Sequence, residues 1–163
     1  MYRKYTTSEF REVVCRLRKK FKRINLTTDI IVGFPGETEE EFNKTFEFLK
    51  EIAFYKMHVF KYSKRDGTVA AKMPNQVDRK VQEERSKKLI ELSNKNQICY
   101  NEKYTGKNLE VLFEEKQGDF YVGHTKDYVI VKTACSNDLE NKIITVIGEK
   151  IEGEEIISKV FDK

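Results

Sequence analysis

TDIIVGFPGET, residues 28–38, is the stretch on which the fold turns. Thr28, Ile30, Ile31 and Val32 are β-branched and interrupted only by Asp29, which predicts a short strand buried on both faces, as in a parallel sheet. Gly33, Pro35 and Gly36 end it at once. Thr38 with Glu41 forms a capping box that opens a helix reaching about Ala53. Together, strand, tight Gly-Pro turn and helix N-terminus put backbone N–H groups and a helix dipole at the carboxyl end of a strand. By spacing alone, such a turn serves either packing or a ligand.

Upstream, Thr6 and Glu9 make a second capping box before a helix of about Thr7 to Phe21. Its apolar face carries Phe10, Val13, Val14, Leu17 and Phe21, and Arg11, Arg16, Arg18, Lys19, Lys20, Lys22 and Arg23 fill the other sides. Those charges read as a solvated face or as a contact for a polyanion. Cys15 reads as a small buried or half-buried residue. Downstream, Phe42, Phe46, Leu49 and Ala53 form a core stripe, with Phe48 and Ile52 beside it. Lys56 to Tyr62 alternates as another strand and completes an α, β, α, β order, which implies parallel strands and right-handed crossovers. Such few units do not close a barrel by themselves. The loop from Tyr62 to Ala71, with a turn at Asp66-Gly67, is expected beside the Gly33–Glu37 turn. There Arg65 can hold a carboxylate or phosphate bidentately, or the loop is simply exposed and polar. His58, in mid-strand, reads as a hydrogen-bonded structural histidine.

Pro74 and Asn75 mark a boundary, and Val77 to about Lys103 reads as one long polar helix with Val81, Leu89, Leu92 and Ile98 as a thin seam, ended by Gly106. The period then changes. Leu109–Phe113, Phe120–His124, Tyr128–Val131, Ile143–Ile147 and Ile156–Val160 are β-rich runs between turn residues, expected to form a small closed OB-like barrel. Its candidate nucleic-acid contacts are Phe120, Tyr121, Lys126 and Tyr128. The domains are drawn at residues 1–99 and 100–163.

With 163 residues, 39% apolar and 36% charged, the chain reads as soluble and globular. No apolar run approaches the length of about 18 residues that spans a bilayer, and no secretory signal opens the chain. Cys15, Cys99 and Cys135 lie 84 and 36 residues apart, which suggests neither a disulfide framework nor a metal knuckle and makes the cytoplasm the natural compartment. Up to Cys99 there are 22 Lys/Arg against 14 Asp/Glu, net +8; from Tyr100 there are 9 against 13, net −4. The basic part suits a polyanionic partner; the acidic part does not.

The letters add a resemblance. TTDIIVGFPGE resembles the fifth-strand segment of radical S-adenosylmethionine (SAM) enzymes, in which a Gly-x-Ile-x-Gly-x-x-Glu-like pattern brings backbone to the adenosine. Ile31 and Gly33 match, Glu37 comes one residue late, and Asp29 stands in place of the first Gly. MYRKYT, TTDIIVGFPGETEEEF, HVFKYSKRDGTVAAKM and ERSKKLIEL, in this order, resemble the C-terminal half of the tRNA methylthiotransferases. HVFxYSKR, with Lys64 and Arg65, is similar to the MtaB type, the threonylcarbamoyladenosine branch, rather than the branch that reads YSPR. TTDIIVGFPGE differs from the TTFIVGFPGE of the ribosomal-protein-modifying branch. Lys61 and Val69 stand where the family usually has Pro.

The resemblance implies an α/β fold: a partial TIM-type radical SAM barrel made of its C-terminal βα units, followed by a small all-β OB-like TRAM domain. It implies 2-methylthiolation of N6-threonylcarbamoyladenosine beside the anticodon of tRNA. SAM and two 4Fe-4S clusters serve that reaction: one cluster cleaves SAM to a radical that activates C2, the second handles sulfur, and another SAM supplies the methyl group. Asp29, Ile31, Gly33, Gly36, Tyr62 and Arg65 are the implied SAM contacts, with Arg3 and Arg65 toward tRNA. The family's CxxxCxxC motif is absent from this sequence. The missing N-terminal half of the same enzyme is therefore the implied partner, and the chain alone is expected to be inactive, with a tRNA-binding module without catalysis as the other reading.

Overall fold

The computed structural model describes residues 4–21 and 24–161. The chain forms two compact units, Met1–Asn96 and Gln97–Lys163, with the division three residues before the one drawn from sequence.

In the first unit, α1 (Thr7–Lys20) is followed by β1 (Thr27–Val32), α2 (Glu39–Ile52), β2 (Lys56–Lys61), a short α3 (Val69–Lys72) and α4 (Arg79–Asn101), which runs past the division. Both expected capping boxes form. Thr6 accepts from the Glu9 N–H and Thr38 from the Glu41 N–H, each at 3.2 Å, and each carboxylate returns to its cap backbone. These hydrogen bonds hold the Glu9 and Glu41 carboxyls below the usual carboxylate range. β1 and β2 pair in parallel, Asp29 opposite His58 and Ile31 opposite Phe60. Val32, Met57, Phe42, Leu49, Ile52, Phe54, Val14 and Leu89 form the core.

The strand expected to be buried on both faces is buried on one. Thr28, Ile30 and Val32 point to the core, whereas Asp29 and Ile31, with His58 and Phe60 beside them, lie on an exposed face. The reason is architectural: the sheet has two strands, and its only described cover is the helical core on the other side. His58 is thus an exposed residue, not a packed structural one. On α1 only Val14 is fully buried; Val13, Phe21 and Cys15 are exposed, because a single neighbouring layer covers a narrow stripe of the helix. Ala53 takes a left-handed conformation and ends α2. Lys22 and Arg23 lie outside the described residues.

The seam of α4 is largely polar, contrary to the apolar expectation. Leu89 is buried, but Ile98 is 39% exposed, and the other buried positions are Gln82, Arg85, Ser86, Ser93, Gln97 and Asn101. Their spacing of three to four residues keeps them on one face. They serve neighbouring backbone groups: Ser93 Oγ accepts the buried Met57 N–H at 2.9 Å, and Asn96 donates to the Phe54 carbonyl at 3.2 Å. Ser93→Ala strands that donor, and chemical denaturation is expected to show a loss of about 1–3 kcal/mol; an unchanged midpoint rules the bond out as a stabilising contact.

The second unit is a closed five-stranded barrel with neighbour order β3-β4-β5-β7-β6, formed by β3 (Asn108–Gln117), β4 (Phe120–Thr125), β5 (Ile130–Ala134), β6 (Lys142–Glu152) and β7 (Glu155–Val160). Closure removes the free edges that short strands otherwise present. Alternate residues Leu109, Val111 and Phe113 of β3 face inward with Tyr121, Val129, Val131, Val146 and Ile156. The parallel β5–β7 pair is stitched by Thr133, whose hydroxyl donates to the Ser158 carbonyl at 2.9 Å. Gly106, expected to cap α4, has φ +73° and instead donates to the Gly148 carbonyl, fixing the start of β3 beside β6. Among the described residues no helix is long and apolar enough to cross a membrane.

Candidate functional site

The Gly33–Glu37 turn is built from both sides. Gly33 has φ +69° and Gly36 φ +88°, left-handed values that glycine adopts without a Cβ penalty. The Gly33 N–H donates to the Glu37 carboxylate, and the Glu37 N–H donates to the Phe34 carbonyl at 2.9 Å. Asn75, read from sequence as a boundary residue, belongs to this turn: its carbonyl accepts the Gly36 N–H at 2.9 Å. From α4, Gln82 donates to the Gly33 carbonyl at 3.3 Å and Arg85 to the Glu37 carbonyl at 3.1 Å.

The loop after β2 lies beside this turn, as expected. The Tyr62 N–H donates to the Val32 carbonyl at 2.9 Å, and the Tyr62 ring meets Phe34 edge to face at 5.4 Å. Thr68 caps α3 and accepts from the Ala71 N–H at 3.2 Å. The sequence does not predict that short helix, because VAAK is too brief to carry a periodic apolar signal. Between turn, loop and the open sheet face lies a pocket of about 430 Å³ lined by Ile31, Phe34, Phe60, Tyr62, Ser63, Arg65 and Thr68.

Two residues of the pocket lining carry polar groups without a partner among the described residues. The Tyr62 hydroxyl is buried with no hydrogen-bond partner among the described residues, and Arg65 is exposed with no ion pair there. Ile31 and Phe60 offer a flat apolar wall. The arrangement suits a molecule with a planar ring and a charged tail. Of the expected SAM contacts, Ile31, Tyr62 and Arg65 line the pocket; Gly33 and Gly36 form the adjoining turn, and Asp29 sits on the same open face. Phe60 was missed as a site residue, although its alternation with His58 marked it as one face of a strand. No iron–sulfur cluster fits the cysteines here. Cys15 and Cys99 are exposed, Cys135 is half-buried, and the described residues contain no group that gathers metal-ligating side chains.

On the barrel, the expected nucleic-acid residues divide. Tyr128 is not in a strand: it sits in a turn at φ +60°, its N–H donating to the Thr125 carbonyl, and is 80% exposed. Lys126 is exposed just beyond the end of β4, in the same turn. Phe120, 39% exposed, stands at the opposite end of β4. Tyr121 is only 4% exposed, because its position on β4 faces the barrel interior; it offers no free ring face to a base, which corrects its assignment. Tyr128 neighbours His124, whose Nδ1 lies 2.6 Å from the Glu114 carboxylate, over a groove of about 390 Å³ whose walls include Leu112 and Ile143. Arg3 lies outside the described residues.

The chain thus pairs two unlike units, a βα unit with a glycine turn beside an open pocket and a small β barrel, and sequence comparison shows which proteins it resembles. No family model matches the chain. In sequence it is similar to tRNA methylthiotransferases, and it spans about a third of the length of the curated relatives it matches. It is 42% identical over 151 residues to the threonylcarbamoyladenosine tRNA methylthiotransferase MtaB of Bacillus subtilis, a match covering 90% of this chain and 34% of that protein. It is 48% identical over 149 residues to the tRNA-2-methylthio-N(6)-dimethylallyladenosine synthase of Thermoanaerobacter pseudethanolicus, covering 90% and 32%. The synthase of the same name from Acetivibrio thermocellus is 40% identical over 149 residues, covering 90% and 31%.

Proposed function

We propose that the chain is the C-terminal part of a cytoplasmic tRNA 2-methylthiotransferase of the threonylcarbamoyladenosine branch. In this reading β1 and β2 are neighbouring strands of a larger radical SAM barrel, and residues 100–163 are its TRAM domain. The observation that carries it is the pocket between the Gly33 turn and the open sheet face, with its unpartnered Tyr62 hydroxyl and free Arg65. Ile31 and Phe60 give the adenine a dry wall, the Gly33–Gly36 backbone lies along its edge, Tyr62 hydrogen-bonds, and Arg65 takes the carboxylate of SAM or a phosphate of tRNA. Bound there, SAM would supply, with an electron from a reduced cluster, the radical that activates C2 of the base, while a second SAM would supply the methyl group; the protein orients it and excludes water. The barrel offers Tyr128, Lys126 and Phe120 to tRNA. Because the chain lacks the CxxxCxxC cysteines, this polypeptide by itself acts as a tRNA-binding module, and the catalytic clusters belong to the missing N-terminal half.

The two substrate branches differ in the bulky group on N6, and Lys64 in place of the Pro of the YSPR pattern supports the anionic threonylcarbamoyl group. Titration of the chain with anticodon stem-loops carrying either modification tests this. The threonylcarbamoyl RNA is expected to bind more tightly, and Lys64→Pro to erase the difference. Tyr128→Ala is expected to weaken both RNAs by about 1–3 kcal/mol, the range for one stacked base. Equal binding of both RNAs by the unaltered chain refutes the branch. Turnover by the chain alone after iron–sulfur reconstitution refutes the division of labour.

A further inference from the structure

We infer that Arg85 and Gln82 are positioning residues for the ligand at the Gly33–Glu37 turn: from one face of α4 they fix the shape of that turn, although neither side chain lines the pocket. The inference rests on the assignment of the turn to SAM. The two residues are three apart on the helix and share a face. Arg85, with 5% of its side chain exposed, reaches the Glu37 carboxylate at 3.2 Å and carbonyl at 3.1 Å, and the Glu39 carboxylate at 3.1 Å. The Glu37 carboxylate in turn accepts the Gly33 N–H, while Gln82 donates to the Gly33 carbonyl. Both peptide groups of Gly33 are therefore held by a relay that starts on α4.

Stability alone does not explain this relay. A buried ion pair contributes little beyond what an apolar pair of the same volume gives, so its geometry is what the apolar pair lacks. The guanidinium fork fixes two acceptors at once, which a point charge does not. Moving the Glu37 carboxylate releases the Gly33 N–H and reorients the backbone beside the adenine.

The test uses the chain labelled with ¹⁵N-glycine, whose eight glycines report both units. Without ligand, Arg85→Met and Gln82→Leu are expected to speed amide exchange at Gly33 and Gly36 at least tenfold and to leave Gly123 and Gly148 of the barrel unchanged. With SAM added, both are expected to weaken binding at least tenfold. Leu89→Ala, at a fully buried position of the same helix, destabilises the unit without touching the relay and is expected to leave turn exchange and SAM affinity near wild type. If Arg85→Met does not fold, Arg85→Lys keeps the charge without the fork and is expected to show the same changes at threefold or more. Unchanged Gly33 exchange in the Arg85 and Gln82 variants overturns the inference, as does an equal response to Leu89→Ala. A wild-type chain with no SAM-induced shift overturns the cofactor reading, and with it the ligand half of the inference, whatever exchange shows.

Discussion

Gly123→Ala is expected to prevent closure of the barrel. Gly123 lies mid-strand in β4, paired to Phe113 on one side and Val131 on the other. A Cβ there would run into the Leu112 carbonyl and lie 2.7 Å from the Phe113 Cα, both backbone of the adjacent strand. The β3–β4 register shifts between Phe113 and Glu115, next to this contact. Backbone cannot step aside as a side-chain end does, so either the β3–β4 ladder opens or β4 leaves the barrel. A loss above about 4 kcal/mol is expected, in the range reserved for a few severe mechanisms. Urea denaturation together with the ¹⁵N spectrum of the barrel amides measures it. A folded variant with a native β3–β4 pattern and a loss below about 1 kcal/mol would show that the close approach is not obligatory.

Gly33→Ala is expected to remove the turn and, with it, ligand binding. Two effects add. The left-handed backbone at φ +69° costs a non-glycine residue about 1–2 kcal/mol. The new methyl group also collides with Gln82 Cγ and comes within 3.0 Å of its Cδ, a buried side chain that must swing away and give up its hydrogen bond to Gly33. Together these give about 2–4 kcal/mol, enough to move the turn even where the unit stays folded. The double variant Gly33→Ala with Gln82→Ala separates them, since it relieves the collision and keeps the backbone strain. Partial recovery is expected in thermal stability and none in SAM affinity. Full recovery of both would place the whole effect on the collision.

The two variants act in different units, so their effects are expected to be independent. Gly123→Ala leaves the Gly33 turn intact, and Gly33→Ala leaves the barrel strands paired. A chain in which either substitution unfolds both units would show that the units fold as one.

Much of the fold was legible in local chemistry. Both capping boxes, β1, β2 and the strand-turn-helix junction follow from Thr, Glu, β-branched and Gly-Pro spacing, because caps and turns are satisfied by residues within a few positions. The barrel runs were legible for the same reason: Val, Ile and Phe alternate, and Gly118 and Gly153, both at positive φ, mark reversals. The side-by-side placement of the Gly33 turn and the Tyr62 loop followed from parallel pairing.

What neighbours from far along the chain decide was not legible. Whether Ile31 is core or surface depends on a second layer, which the sequence of one strand does not encode. The same is true of Tyr121 and Tyr128, adjacent in composition, yet one is inside the barrel and the other lies on a left-handed turn. Gln82, Arg85 and Ser93 read as ordinary polar helix residues until the backbone groups they serve are in place. By itself, then, the sequence determined the main elements, their order and the resemblance to the tRNA methylthiotransferases, since these rest on local propensity and short motifs. Only the tertiary structure decided which face of the sheet is open and which helix holds the Gly33 turn, because burial and hydrogen-bond partners across some fifty positions exist only once the chain has packed.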